Sequence, residues 1–308
     1  MKNRIIVWLT LLLCIVCLLT GGCAALNSSP TLNSSSQTPT QNIPVQVDSP
    51  SEPKSSDILK VHFIDVGQGD AILVQSPSGQ NMLVDAGEKD YADVVIKYLL
   101  AQGVKELDIV VGTHPHADHI GGLPTIIDYF PIKSIYMPKA TGNTETFRNL
   151  LNTINNKGIK ISTARAGVDL PLNGVSCRFV APLLDTYEDL NNYSGVIRLE
   201  YGTQSFLLTG DAEAESENQM LAAGENLKST VLKVGHHGSD SSSSSKFLKA
   251  VVPHYAVIMV GKDNPYGHPH SRILSRLSSA GIKVYRTDRD GTVVFTSDGK
   301  YLQITQGR

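Results

Sequence analysis

Beyond its first two dozen residues the chain has almost no cysteine. Four occur in 308 residues; Cys14, Cys17 and Cys23 come first, so Cys177 stands alone in the remainder of the chain, where no internal disulfide can form. Its neighbours Val175, Phe179 and Val180 predict a strand and a packed thiol rather than a reactive one. Neither sign of charge is in excess. The 27 Lys and Arg nearly balance 29 Asp and Glu, which excludes an overall electrostatic footprint for nucleic acid. Past Leu19 no long apolar run predicts a transmembrane helix. From Ala24 to about Ser56 large aliphatic and aromatic side chains are nearly missing, and Ser, Thr, Asn, Gln and Pro take their place. Such a segment cannot bury enough apolar surface to offset its ordering, so residues 24–57 are expected to be a flexible spacer.

What precedes the spacer has the pattern of a secretion signal. Lys2 and Arg4 give a positive start, and Ile5 to Leu19 is apolar and uncharged but short for a membrane span. Thr20-Gly21-Gly22-Cys23 resembles a bacterial lipobox, with Thr20 where Leu is usual. Residues 1–23 are therefore expected to be a signal peptide that leaves a lipid on Cys23, anchoring an extracytoplasmic protein to the outer face of the cell membrane. An uncleaved anchor or an ordinary signal peptide would also place the bulk of the chain outside the cytoplasm.

Residues 58–308 suffice for one α/β domain. Three short strands with glycine-rich turns are predicted over Leu59–Asp65, Ala71–Gln75 and Asn81–Asp85, then a helix over Tyr91–Leu100. The second half predicts a hairpin about Gly202 and helices over Ala212–Ala223, Lys246–Val251 and Ser271–Ala280. Strands are predicted over Val231–Val234, Tyr255–Val260, Ile282–Tyr285, Thr292–Thr296 and Tyr301–Thr305. Two strand-rich halves with helices outside them fit paired sheets between helix layers.

One stretch concentrates the chemistry. Thr113-His114-Pro115-His116-Ala117-Asp118-His119 follows the apolar strand Leu107–Val111 and precedes Gly121, Gly122, Pro124 and an apolar helical segment from Ile126. Four potential ligands thus sit where a strand end meets a helix start. Imidazole and carboxylate together suit zinc, manganese or iron.

This cluster resembles the metal-binding signature of the metallo-β-lactamase superfamily, and further motifs occur in that family's order. Leu83-Val84-Asp85-Ala86-Gly87 matches the motif whose Asp supports the metal loop. Leu207-Leu208-Thr209-Gly210-Asp211 matches the one whose Asp bridges two metals, and Val231 to Ser239 matches the one that supplies a late His. The resemblance implies an αββα four-layer sandwich and one or two divalent metal ions, Zn or Mn, held by His114, His116, Asp118, His119, Asp211 and a late imidazole. His236, straight after the strand, is favoured over His237 for that last place. The chain departs from the pattern in having no His between His119 and His236. Asn191 or Asn192 stands near the place of that middle imidazole, and an amide oxygen suits zinc poorly.

With the Asn-Asn-x-Ser stretch, Asp65-Val66-Gly67-Gln68-Gly69-Asp70, His236-His237-Gly238-Ser239 and Asn264 to His270 make the chain similar to the soluble hydrolase domain of ComEC-type DNA-internalisation proteins. The resemblance implies a hydrolase that uses a metal-activated water, and phosphodiesters are the expected substrates. Asp118 or Asp211 would hold the water. Tyr266, His268 and His270 are candidates for leaving-group protonation or oxyanion contact, with His268 preferred; a turn whose His residues cap the next helix is the alternative. Asp65, Gln68 and Asp70 would line the site, unless they merely form a turn. Ser239 and Ser241 to Ser245 would contact phosphate, or form a solvated loop.

From Thr230 onward eleven Lys and Arg face five Asp and no Glu. A basic rim would suit a phosphate-bearing substrate, DNA among them, although solvated helix faces such as those of Arg272 and Arg276 account for the count equally well. Sparse aromatics give no support for sequence-specific readout, and no protein partner is predicted. A hydrolase of another ester or amide class and a non-catalytic DNA-uptake lipoprotein are the competing readings.

Overall fold

The computed structural model describes residues 57–140 and 142–308. The expected signal, the lipid site at Cys23 and all but the last residue of the spacer lie outside the described residues.

Two sheets face each other. The first is built from β1 (Leu59–Phe63), β2 (Ile72–Gln75), β3 (Asn81–Val84), β4 (Ile109–Val111), β5 (Ile135–Met137), β6 (Ile161–Thr163), β13 (Val293–Ser297) and β14 (Leu302–Gln306), in the order β14-β13-β1-β2-β3-β4-β5-β6. The second runs β12-β11-β10-β9-β8-β7, from β7 (Ser176–Phe179), β8 (Ile197–Tyr201), β9 (Gln204–Leu208), β10 (Val231–Lys233), β11 (Tyr255–Ile258) and β12 (Lys283–Arg286). Each sheet is antiparallel on one side and parallel on the other. β3 to β6 are parallel neighbours, as are β9 to β12.

Period-two patterning sets the inner faces. Val293, Phe295 and Ser297 are buried while Val294 and Thr296 are half-buried. Phe63, Phe206 and Phe295 meet edge to face between the sheets, with ring centres 5.8 and 5.9 Å apart. Cys177 is buried in the same core, and burial pushes its thiol pKa up, as a packed thiol requires.

Helices cover both outer faces. On the first sheet lie α1 (Ala92–Ala101), α2 (Ala117–Ile120), α3 (Leu123–Tyr129) and α4 (Glu145–Asn156), and on the second α5 (Ala214–Ala222), α6 (Ser245–Val251) and α7 (Ser271–Ser279). A one-turn α8 (Thr287–Asp290) joins β12 to β13. The result is the expected αββα sandwich. Predicted element ends agree within a few residues, but β5 and β6 have no counterpart in the prediction, and neither has α4. Thr144 caps it by accepting from the Phe147 N–H at 3.2 Å, and Phe147, Leu150 and Ile154 form its buried face. Each such side chain contributes roughly 1.5–3 kcal/mol on burial. α3 starts at Leu123, ahead of the predicted Ile126, because Pro124 in its first turn needs no hydrogen-bonded N–H. No helix among the described residues is long and apolar enough to cross a membrane.

Candidate metal centre

The parallel halves of both sheets aim their strand ends at one place. Asp85 follows β3, and the loop and short helix after β4 carry His114, His116, Asp118 and His119. Asp211 follows β9, while His236 and His237 follow β10. Three of these turns use left-handed backbone, at Asp85 (φ 58°), Gly210 (φ 51°) and the His236-His237 pair (φ 46° and 51°). That conformation is unusual for a residue with a side chain and turns the ligands inward.

Asp118, His119, Asp211 and His237 converge. The Nε2 atoms of His119 and His237 lie 3.3 Å apart. Asp211 Oδ2 is 3.2 Å from the first and 3.3 Å from the second, and Asp118 Oδ2 is 3.1 Å from His237 Nε2. The far side of each ring is occupied. His119 Nδ1 donates to Asp85 at 2.8 Å, and His237 Nδ1 donates to the Met259 carbonyl at 2.9 Å. Both Nε2 lone pairs therefore face two carboxylates, and Asp211 Oδ1 is buried with no protein partner. Such a donor set fits a divalent cation. Without one, the site binds protons instead. Burial opposes charge on His237, yet Asp211 and then Asp118 hold its pKa up to about 9. His119 is raised well above the usual imidazole value against the same penalty, chiefly by Asp211 and Asp118. Burial would raise the Asp118 carboxyl, but His119 and His237 leave it lowered.

His237, not His236, is thus the late imidazole of this group, which reverses the expectation. A left-handed turn, rather than distance from the strand, decides which ring enters. His236 Nε2 lies 3.9 Å from Asp211, and its Nδ1 is held by Glu213 at 3.0 Å and by Ser241 at 3.1 Å.

His114 and His116 form a lesser group beside it. His114 Nε2 is 3.1 Å from His116 Nδ1 and 3.9 Å from Asp211. Burial, then His119, lowers the His114 pKa well below its ordinary value. Neither asparagine makes a hydrogen bond to these rings. Asn192 Oδ1 accepts from the Glu213 and Ser216 N–H groups at the start of α5, and Asn191 donates to Glu213. The neighbours on His114 Nδ1 are the Thr113 hydroxyl, at 3.1 Å, and Ser194, at 3.3 Å, whose hydroxyl also accepts from the Asp211 N–H.

A cavity of about 330 Å³ opens over the metal group, walled by Gln68, Glu88, His116, His236, Tyr266 and His268. Tyr266, 63% exposed, stacks on His268. Burial, and next His236, lowers His268 to about 4, so it is neutral at pH 7 and lacks the proton expected of a leaving-group acid. His270 Nδ1 accepts from the Asp240 N–H at 3.1 Å. Asp65 pairs with Arg308 and Gln68 accepts from Gly261 N, so of the two only Gln68 reaches the cavity wall. Asp70 lies behind His237, 3.5 Å from Nδ1.

The serine run is neither a phosphate loop nor a solvated one. Ser239 bonds Ser241, Ser241 bonds Glu213, Ser242 bonds the Ala212 carbonyl, and Ser243 N–H donates to Glu217. Three of the eleven cations expected for a basic rim are taken up by the protein itself. Lys233 is buried, Arg276 donates to the Ser243 carbonyl, and Arg286 pairs with Asp288. Glu213, Ser194 and Lys233 were missed in the sequence. Lys233 carried a signal, a cation inside the apolar strand Val231-Leu232-Lys233-Val234.

Residues 64–262 match the family model described as Metallo-beta-lactamase superfamily. ComE operon protein 3 of Bacillus subtilis (strain 168) is 33% identical over 253 residues, covering 77% of this chain and 33% of that protein. Competence protein ComA of Neisseria gonorrhoeae is 34% identical over 233 residues, covering 75% and 31%. Recombination protein 2 of Haemophilus influenzae (strain ATCC 51907 / DSM 11121 / KW20 / Rd) is 32% identical over 254 residues, covering 81% and 30%. The chain spans about a third of the length of these relatives. Among solved structures, the metallo hydrolase Igni18 from Ignicoccus hospitalis shares the fold with TM-score 0.50 at 19% identity, covering 77% of this chain and 98% of that one.

Proposed function

The chain belongs to the metallo-beta-lactamase superfamily, and from that premise we propose that this metal-dependent hydrolase cleaves phosphodiesters, DNA among them, outside the cytoplasm. The hydrolase reading is carried by the convergence of Asp118, His119, Asp211 and His237 beneath an open cavity. The choice of phosphodiesters draws support from two relatives named for competence and recombination. Zinc and manganese both suit a set of two imidazoles and two carboxylates. The extracytoplasmic location and the lipid on Cys23 are inferred from the N-terminal sequence pattern alone.

When bound, a divalent metal acidifies water and polarises a phosphoryl oxygen. The protein's part is to orient and to move protons. Asp118, partly exposed at the cavity floor, is placed to accept a proton from the attacking water. His236 presents its Nε2 to the cavity because Glu213 and Ser241 hold its other nitrogen, which puts it within reach of a leaving oxygen. His268, neutral, offers hydrogen bonding without adding charge. Tyr266 narrows the mouth and gives a flat face to a nucleobase or other ring.

Turnover of bis(p-nitrophenyl) phosphate and of nitrocefin by the purified protein, with Asp118→Ala as control, tests the reading. Phosphodiester cleavage that needs divalent metal and is lost in the variant is expected. Nitrocefin turnover with no phosphodiester cleavage would refute it in favour of another hydrolase class, and DNA binding by a protein inert towards both would favour a non-catalytic lipoprotein.

A further inference from the structure

Behind the metal group, on the side away from the cavity, lies an ion pair that the reaction does not touch. Lys233 and Asp70 are both buried, and Lys233 Nζ lies 2.8 Å from Asp70 Oδ2. The ammonium has two further acceptors, the Val234 carbonyl at 2.9 Å and the Gly210 carbonyl at 3.4 Å. Three protons thus meet three oxygens.

Each oxygen belongs to a segment that carries a metal ligand. Gly210 immediately precedes Asp211. Val234 opens the left-handed turn that delivers His237. Asp70 binds the metal loop through its backbone, its N–H donating to the Asp118 carbonyl at 3.1 Å. That approach requires Gly69. Its φ is +126°, and a Cβ there would lie 2.2 Å from the Asp118 carbonyl oxygen. Asp70 Oδ1 has no hydrogen-bond partner and sits 3.5 Å from His237 Nδ1. His119, the fourth ligand, is held separately by Asp85.

A buried ion pair is a poor source of stability, because desolvating two charges offsets most of their attraction, and apolar residues of similar size serve a fold as well or better. What apolar residues cannot do is fix the direction of three loops at one point. We infer that the Lys233–Asp70 pair is a positioning device for the metal centre: one buried ammonium sets the segments that carry Asp118, Asp211 and His237 at their mutual distances.

The inference rests on the metal centre itself, and the test separates the two. Cobalt(II) binding is measured by competition with a chelator and by the visible absorption of the bound ion, on the unaltered protein and on the double variant Asp70→Leu/Lys233→Met, which removes both charges together. Failure of the unaltered protein to bind cobalt would sink the centre, and the strut with it. If it binds, the double variant is expected to fold with an unfolding midpoint at or above that of the parent, to bind cobalt about 10–100-fold more weakly, and to show a shifted absorption band. Parental affinity and spectrum in the folded double variant would overturn the strut and leave the centre standing. Should the double variant not fold, Asp70→Asn decides, since it keeps the side-chain shape and a bond from Lys233. A 10-fold or greater loss of cobalt affinity, measured below its unfolding midpoint where the variant is folded, supports the inference, and unchanged affinity overturns it.

Discussion

Replacing Asp85 by Asn should damage metal binding while leaving the fold nearly intact. Asp85 is fully buried and accepts three bonds. The Thr113 N–H donates to Oδ1 at 2.8 Å, and the Thr113 hydroxyl at 2.6 Å and His119 Nδ1 at 2.8 Å donate to Oδ2. The backbone N–H of Thr113 cannot become an acceptor, so an amide at residue 85 must keep its oxygen there and place its NH2 where Oδ2 was. That group donates. The Thr113 hydroxyl can rotate and accept, but His119 Nδ1 can accept only by giving up its proton, which moves to Nε2. The nitrogen that should hold the metal is then blocked. Loss of a carboxylate behind a ligating imidazole typically costs 10–100-fold in metal affinity, equivalent to about 1.4–2.7 kcal/mol. Because His119 is held charged in the metal-free protein, the variant loses a charge-assisted bond there, and metal-free stability should fall by about 1.5–3 kcal/mol. Asp85→Ala is the contrast. It forces Ala into φ +58° and strands three donors, so it should cost at least ~3 kcal/mol. Chelator competition with cobalt or zinc, beside thermal unfolding of the metal-free proteins, gives both quantities. Asp85→Asn that binds metal within twofold of the parent, or that loses affinity only by unfolding, would refute the tautomer argument.

The same geometry predicts two further outcomes. His237→Ala should weaken cation binding by more than ~100-fold, beyond what loss of a supporting carboxylate costs, whereas His236→Ala should stay within about threefold; equilibrium dialysis checks both, and the opposite ranking would restore His236 as the ligand. Metal binding should also release protons at pH 7. His237 is held up to about 9 in the metal-free protein, so the incoming ion displaces a proton, and affinity should climb with pH until about 9. In the metal-free protein that imidazolium contributes stability fully below pH 6.5, lost as pH rises through about 9. Calorimetry in buffers of different ionisation heat counts the protons, and none released at pH 7 would refute the assignment.

The sequence by itself determined the kinds of ligand, their place at strand ends and the order of most strands and helices, an order that fits the αββα layering which the family resemblance implied. These rest on local rules. Period-two burial marks strands such as β13, a 3.6-residue period marks α1 and α7, and His and Asp packed into one turn have few uses besides a cation. Even α4 was legible in principle, through Thr144 and the spacing of Phe147, Leu150 and Ile154. The tertiary structure decided which neighbour of an adjacent pair does the work. His236 and His237 have the same chemistry, and only the left-handed backbone at both positions sends one ring to Asp118 and the other to Glu213. Asn192 and Ser194 lie two residues apart, yet one is taken by the start of α5 and the other reaches His114. Lys233 lies in β10 of the second sheet and Asp70 in the loop between β1 and β2 of the first, and nothing local to either predicts a partner. Side-chain direction from a non-repeating turn and pairing across the chain carry no period in the sequence, so they emerge only when the two sheets close on each other.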